Sequence, residues 1–329
     1  MTVQTEDMPN TAASEAEPVS RAGQGGGNGT NKRSLAYRMK KGWKGYLFIL
    51  PLFFFLLLFS YYPAISGIYH SFFDWRDTGE SVFIGFENYA TFLWGEEAAI
   101  FWESCLTMFI LLIPKLIINI VVPLVGALLI FYLTSKKARS VYRLWLLIPM
   151  VAPGVVTTLI WEYIYDPNYG IITAIYKLFG GEPVDWLNDP DTVIAAVIFM
   201  GFPWISGTNV LIYTSALNSV SPEVRESARL DGAGTMCIIF KIDLPLIFEQ
   251  IRFFLINGLI VGIQDYSVQF LLTNGGPGYK TMVPGFLMYQ KAFTEGRMGY
   301  ASAIGTFLFV LIMILTLVSF RIKRKEDVL

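Results

Sequence analysis

Residues 105–133 read CLTMFILLIPKLIINIVVPLVGALLIFYL, and Lys115 is the one charged side chain among them. A bilayer hydrocarbon core about 30 Å thick is crossed by about 20 helical residues, so this stretch crosses it with residues to spare. A run of that length and apolarity reads as a membrane span rather than as the core helix of a water-soluble domain. Pro114, Pro123 and Gly126 interrupt it. Inside a membrane such residues are tolerated where neighbouring helices satisfy the backbone groups they free.

Five further stretches share this character: 46–73 with Pro51 and Pro63, 142–165 with Pro149 and Pro153, 192–217 with Pro203, 251–272, and 300–320. The pattern predicts an all-α integral membrane fold of about six transmembrane helices. Composition agrees. Of 329 residues, 54% are hydrophobic and 16% charged, where soluble domains average about 25% charged. The first apolar run starts only near Tyr46 and is followed by no small-residue cleavage site, so it reads as an uncleaved span rather than a signal peptide. Residues 1–42 are expected to be a disordered cytoplasmic tail, because the tract with TAASEAEP and GQGGGNGT lacks apolar mass. Residues 43–325 form the expected six-helix domain, and 326–329 a short cytoplasmic end.

Charge sets the orientation. Short loops on the cytoplasmic side collect Lys and Arg. Lys32, Arg33, Arg38, Lys40, Lys41 and Lys44 precede the first span, Lys136, Lys137, Arg139 and Arg143 follow the second, and Arg321, Lys323, Arg324 and Lys325 follow the sixth. The alternate loops, 74–103 and 166–191, are acidic. The expected orientation is N-in and C-in, with Trp75, Trp94, Trp102 and Trp186 in an outer aromatic belt. Lys/Arg runs occur only at membrane edges, so the bilayer is an expected partner and nucleic acid is not. Cys105 and Cys237 fall on opposite sides and are not expected to pair. With one histidine, His70, and no Cys/His cluster, no metal site is expected.

Residues 218–249 break the hydropathy rhythm in an ordered way. Ser221 suits an N-cap, Pro222 the first helical position and Glu223 the first turn. The helix should stop at Asp231-Gly232, because glycine suits a left-handed cap. A second short helix is expected over Thr235–Ile242, ended by Leu244-Pro245. Arg225, Glu226 and Arg229 would set register by charge against a partner. The expected product is a cytoplasmic helix–turn–helix elbow.

Within that elbow, Glu226-Ser227-Ala228, then Gly232, then Ile242, Leu244 and Pro245 resemble the EAA-x3-G-x9-I-x-L-P motif of inner-membrane permeases of binding-protein-dependent ABC importers. The spacing matches throughout, and only Ser227 departs, as one small residue for another. Residues 272–306, LTNGGPGYKTMVPGFLMYQKAFTEGRMGYASAIGT, resemble the corresponding stretch of carbohydrate-uptake permeases, as do YYPAISGIYHSFFDW, FIGFENY and LWLLIPMVAPGVVTTLIWEYIYDPNYG upstream. The GGP form favours the first of two dissimilar permeases, of the maltose and glycerol-phosphate type. The resemblance implies a type I importer permease fold in the bacterial plasma membrane and transport of a sugar or oligosaccharide. It also implies several partners: a second, homologous permease, two cytoplasmic ATPase subunits that carry ATP and Mg and grip the elbow, and an extracellular solute-binding protein.

Read from the residues, Asn274-Gly275-Gly276-Pro277-Gly278 is a turn cluster outside the fifth span. With Tyr279 and Lys280 it is the expected docking platform, within an outer loop 273–299. Polar residues inside a membrane usually face a cavity or a partner helix. Asn257 and Gln264 are seven apart, Asp265 and Gln269 four apart, and together they predict a polar strip in span five. Lys115 and Asn119 share a face of span two, Asn209 lies in span four, and Trp161 closes span three. These eight are the candidate substrate path, since a sugar needs planar hydrogen-bonding groups and an aromatic face; the plainer reading is helix–helix contact, with Lys115 pairing to Glu162 or Asp265. The family position that often holds Asp falls on Ser267, two residues beyond Asp265.

No G-x4-G-K-[ST] loop is present, so ATP is not expected on this chain, and no catalytic signature marks an enzyme. A membrane-embedded enzyme and a secondary transporter are the alternatives. The first needs acids or a metal at one interface, and the second usually shows internal repeats.

Overall fold

The computed structural model describes residues 43–79 and 81–321. The expected tails 1–42 and 326–329, and the basic residues within them, lie outside the described residues. The first compact unit ends at Leu57. Its described helix, α1 (Trp43–Leu56), contains Pro51 and leaves its apolar side chains from Tyr46 to Leu56 exposed.

In the second unit, α2 (Tyr62–His70) leads to a small antiparallel pair, β1 (Phe73–Asp74) and β2 (Val82–Phe83), in which Phe73 faces Phe83. Helix α3 (Glu87–Leu93) and the long α4 (Ala98–Tyr132) follow. Next come α5 (Lys136–Leu147), α6 (Gly154–Ile164), α7 (Ile171–Leu178), α8 (Val193–Phe199) and α9 (Gly207–Ser219). The chain then folds α10 (Pro222–Leu230), α11 (Thr235–Ile238), α12 (Leu244–Leu246) and α13 (Phe248–Gln264). It closes with α14 (Pro284–Tyr289) and α15 (Met298–Phe320).

Four helical runs are long and apolar enough to cross a membrane: Gly45–His70, Ala98–Tyr132, Phe248–Thr273 and Met298–Phe320. Two expected spans are not continuous helices. The span expected at 142–165 breaks at Ala152-Pro153, and its halves are bent by 88°. Ala152 is extended (ψ 127°), as the residue before a proline is pushed to be, and Pro153 brings no N–H. The span expected at 192–217 is split between α8 and α9. Gly201 and Trp204 there adopt positive φ, beside Pro203. The four runs therefore become five if the bent pair counts as one span.

Two apolar clusters hold this unit together. One joins Phe92, Phe101, Met108, Leu111 and Leu112 to Val193, Val197, Ile263, Phe286 and Ile304. The other joins Ala127 and Ile130 to Val210, Tyr213, Leu217, Ile247 and Phe254. Along α4 the first cluster ends at Leu112, and the second has its buried centre from Ala127 onward. Lys115 and Asn119 fall in the interval. The expected outer loop 273–299 is not simply a loop. Residues 281–287 are all buried, because Met282, Val283, Phe286 and Leu287 pack into the first cluster.

Candidate functional site

A cavity of about 330 Å³ opens between α4, α9 and α13. Its polar lining is Lys115, Asn119, Ser206, Asn209, Asn257, Asp265 and Gln269. Six of the eight candidate substrate-path residues are thus brought together, from three separate stretches of chain. Two are not. Gln264 is exposed and donates from Nε2 to the Ile260 carbonyl at 2.9 Å. It is the last residue of α13 and lies beyond Gly262, the last residue of that helix to line the cavity. Trp161 instead packs on Tyr165 and Phe199, with ring centroids 5.5 and 6.0 Å away.

Breaks in the helices shape this cavity. α13 ends at Gln264, Asp265 is extended (ψ 125°), and its Oδ1 accepts from the Ser267 amide at 3.0 Å, starting the next helical turn. Ser206 caps α9 in the same way, accepting from the Asn209 amide at 3.3 Å. Asn209 Nδ2 also donates to the Asn119 carbonyl at 3.4 Å, tying α9 to α4. Discontinuous spans meeting at mid-membrane are where transporters place solute sites. Ser206 and Val283, which also line the cavity, escaped the sequence reading. The Ser206-x-x-Asn209 cap was the available signal; Val283 had none.

The elbow starts at Ser221, whose Oγ accepts from the Glu223 amide at 3.3 Å, and α10 ends before Gly232, whose φ is +85°. The Ala233 amide donates to the Ala228 carbonyl at 2.9 Å, closing the helix end with a left-handed residue, as its sequence implied. Glu226, Ser227 and Gly232 are exposed; Ala228, Ile242, Leu244 and Pro245 are half-buried. Leu230, Met236 and Phe240 add a large exposed apolar surface.

Two expectations change here. Leu244-Pro245 does not end the second helix, which passes through a π-turn at Ile239–Asp243 into α12. The wider turn relieves the clash a proline ring makes inside a helix. Arg225 does not face outward. It is buried, with Nε 2.8 Å from Asp243 Oδ1 and Nη2 donating to the Leu217 carbonyl at 2.8 Å. Tyr132 donates to Asp243 Oδ2 at 2.6 Å. Asp243 and Tyr132 were not among the sequence candidates; neither carries a motif.

At the other end of the unit, Gly275 is buried against Met282 and Phe286, and Gly276 and Pro277 are half-buried. The exposed part of the proposed platform is therefore Asn274, Gly278, Tyr279 and Lys280. Beside it, Glu97 at the start of α4 pairs with Arg297 at 2.6 Å and with Lys291 at 2.9 Å. Among the described residues no group of three or more His, Cys, Asp or Glu side chains is placed to hold a metal ion.

Broken apolar helices around a polar cavity, with an ordered elbow hung from one of them, define a multi-pass membrane permease. Residues 119–325 match the family described as "Binding-protein-dependent transport system inner membrane component", and the chain belongs to that family. It is 30% identical over 289 residues to the sulfoquinovosyl glycerol transport system permease protein of Agrobacterium fabrum, covering 85% of this chain and 90% of that one. It is 29% identical to the arabinooligosaccharides transport system permease protein of Bacillus subtilis, over 88% of this chain and 91% of the other. A crystal structure of a bacterial alginate ABC transporter, in complex with an alginate pentasaccharide-bound periplasmic protein, contains a chain of the same fold. That chain has a TM-score of 0.72 and 24% identity, with 87% of this chain and 95% of that chain covered.

Proposed function

We propose that this permease carries a sugar or oligosaccharide inward, driven by ATP hydrolysis on two partner ATPase subunits. The observation that carries the reading is mechanical. α9 has the cavity at its first residues, where Ser206 and Asn209 stand, and the elbow at its last, where the Leu217 carbonyl accepts from Arg225. Thirteen helical residues make a rod about 20 Å long, so a push on the elbow moves one wall of the cavity.

In this reading the EAA residues Glu226, Ser227, Ala228, Gly232, Ile242, Leu244 and Pro245 seat in a cleft of an ATPase. The exposed Glu226 and the apolar Leu230, Met236 and Phe240 form the contact. ATP and Mg stay on those partners. A solute-binding protein docks near Tyr279 and delivers solute to the cavity, and a homologous permease closes the cavity's open side. The elbow end faces the cytoplasm, which makes the chain N-in and C-in. Carbonyl and amide groups of Asn119, Asn209, Asn257 and Gln269 suit hydroxyl groups of a sugar, each donating or accepting as the ring requires. The printed names of several relatives, which are transport permeases for saccharides, support the solute class.

Proteoliposomes holding this chain with its partner subunits test the proposal. Uptake of labelled oligosaccharide should require ATP inside and the binding protein outside, and Glu226→Lys should abolish it without preventing insertion. Uptake by this chain alone, or undiminished uptake in Glu226→Lys, overturns the reading.

A further inference from the structure

The cavity lining carries two charged side chains of opposite sign, Lys115 on α4 and Asp265 just past the end of α13. Asp265 is close enough to act on Lys115 electrostatically, yet among the described residues no ion pair or hydrogen bond joins them. The direct pairing that would make Lys115 plain helix–helix contact is therefore not formed, with Asp265 or with Glu162.

Helix packing keeps the two apart. Gly258 and Gly262 of α13 have no room for a Cβ, because Leu116 and Leu112 of α4 press on them. Small residues let helices approach this closely, and the two contacts fix an antiparallel register. In that register Lys115 lies level with Leu259, six residues and about 9 Å along the axis from Asp265. The Lys115 side chain tilts toward the start of its helix, which is the direction of Asp265. Asp265 is held in place in turn, since its Oδ1 accepts from the Ser267 amide at 3.0 Å.

Two fixed and opposite charges facing one cavity act as a filter. A carboxylate or sulfonate is drawn to Lys115 and repelled by Asp265, and an amine meets the reverse. The two effects largely cancel, while the cost of taking a charge out of water remains. A hydroxyl group avoids this conflict, because its oxygen accepts from an ammonium and its hydrogen donates to a carboxylate, and both bonds are charge-assisted.

We propose that Lys115 and Asp265 are a specificity-determining pair that restricts the cavity to uncharged polyhydroxy solutes, whose hydroxyl groups bridge the two. This deepens the proposed function and rests on the cavity being the solute path.

The test uses the assembled transporter in detergent without its solute-binding protein, so that no other subunit selects the solute first. Binding is followed by saturation-transfer nuclear magnetic resonance at mildly acid pH with two matched pairs of probes. One is trigalacturonate and its neutral methyl ester; the other is triglucosamine and its neutral N-acetylated form. The wild type should favour each neutral form at least about tenfold, since burial of the charge goes uncompensated. A unit charge about 10 Å away, at an effective dielectric of about 20, changes binding on the order of tenfold. Asp265→Asn should therefore shift the first ratio about tenfold toward trigalacturonate, and Lys115→Gln the second about tenfold toward triglucosamine. Wild-type binding that ignores charge overturns the proposal and leaves the transport reading intact; this arm needs no variant to fold. Ratios unchanged in the variants also overturn it, as does loss of every probe by both variants, which would give the pair a structural role. Failure of the wild type to bind either neutral form overturns the proposal together with the cavity's assignment as the solute path.

Discussion

Arg225 and Asp243 form a buried ion pair, 2.8 Å from Nε to Oδ1, that joins the two helices of the elbow. The Arg225 guanidinium also lies 4.7 Å over the ring of Phe131 and donates to the carbonyls of Leu217 and Val220. The elbow is therefore fastened to the ends of α4 and α9 rather than tethered by flexible chain. Removing one member of a buried pair leaves an uncompensated charge and costs about 3–5 kcal/mol. Arg225→Ala and Asp243→Ala should each lower the melting temperature in detergent and speed modification of Cys237 by a thiol reagent. The double variant Arg225→Met/Asp243→Leu should recover most of the stability. Single variants as stable as the wild type would show that the pair does not hold the elbow.

Two glycines should fail for different reasons. At Gly232 the space is open, with nothing within 4 Å of an added Cβ, but φ is +85°. Alanine there pays only in backbone conformation, about 1–2 kcal/mol, at the exposed tip of the elbow. At Gly207 an added Cβ would stand 2.2 Å from the Leu146 carbonyl oxygen. Backbone must then move, at about 1–3 kcal/mol for an overpacked site, and Ser206 and Asn209 move with it. Co-purification of the ATPase should weaken in Gly232→Ala and persist in Gly207→Ala. Solute-stimulated ATP hydrolysis should fall in both. The reverse pattern would separate neither the elbow from the cavity nor cause from effect, and would refute the assignment of α9 as the rod between them.

Much of this was legible in the sequence, and the failures have common causes. Apolar runs located the helices because a bilayer demands about 20 such residues. Hydropathy does not report where a helix breaks inside a run. Ala152-Pro153 and the Gly201–Trp204 segment therefore divided spans that composition had left whole. Gln264 does share a continuous helix with Asn257, but its side chain turns back to its own helix at the Ile260 carbonyl, which residue spacing does not report. The cap of Ser221 and the left-handed Gly232 were readable because both are local. Arg225 was misread as a surface charge because its partner Asp243 lies eighteen residues away, and pairing across a turn leaves no pattern in the chain.

The cavity residues should separate from their neighbours in transport assays. Asn257→Ala and Asn209→Ala each remove a side chain that lines the cavity. A hydrogen bond is worth about 0.5–1.5 kcal/mol net, so each should raise the half-saturating solute concentration about 2- to 10-fold, with basal ATP hydrolysis unchanged. Gln264→Ala and Trp161→Ala, outside the lining, should leave that concentration within about twofold. Equal effects in all four would mean that the cavity is not the solute path.

The end of the unit away from the elbow should respond to acid through Glu97. Burial pushes this carboxyl up, but hydrogen bonds from Lys291 and Arg297 outweigh burial and hold it below its ordinary value of 4.5. Glu295 pairs with the same Lys291 at 2.9 Å, and Arg297 lies 4.2 Å over the Tyr300 ring, so the network spans the starts of α4 and α15. Because the folded state keeps Glu97 ionised more readily than the unfolded chain, its contribution is fully present above the unfolded value. It is lost as pH falls from about 4.5 through the lower folded value. Melting temperature should therefore be insensitive to Glu97 ionisation from neutrality down to mild acid and then decline. Glu97→Gln should melt lower at neutral pH and show a shallower acid decline, because it has no charge left to neutralise. Parallel acid declines in the two proteins would assign the loss to other carboxylates, Glu295 first among them.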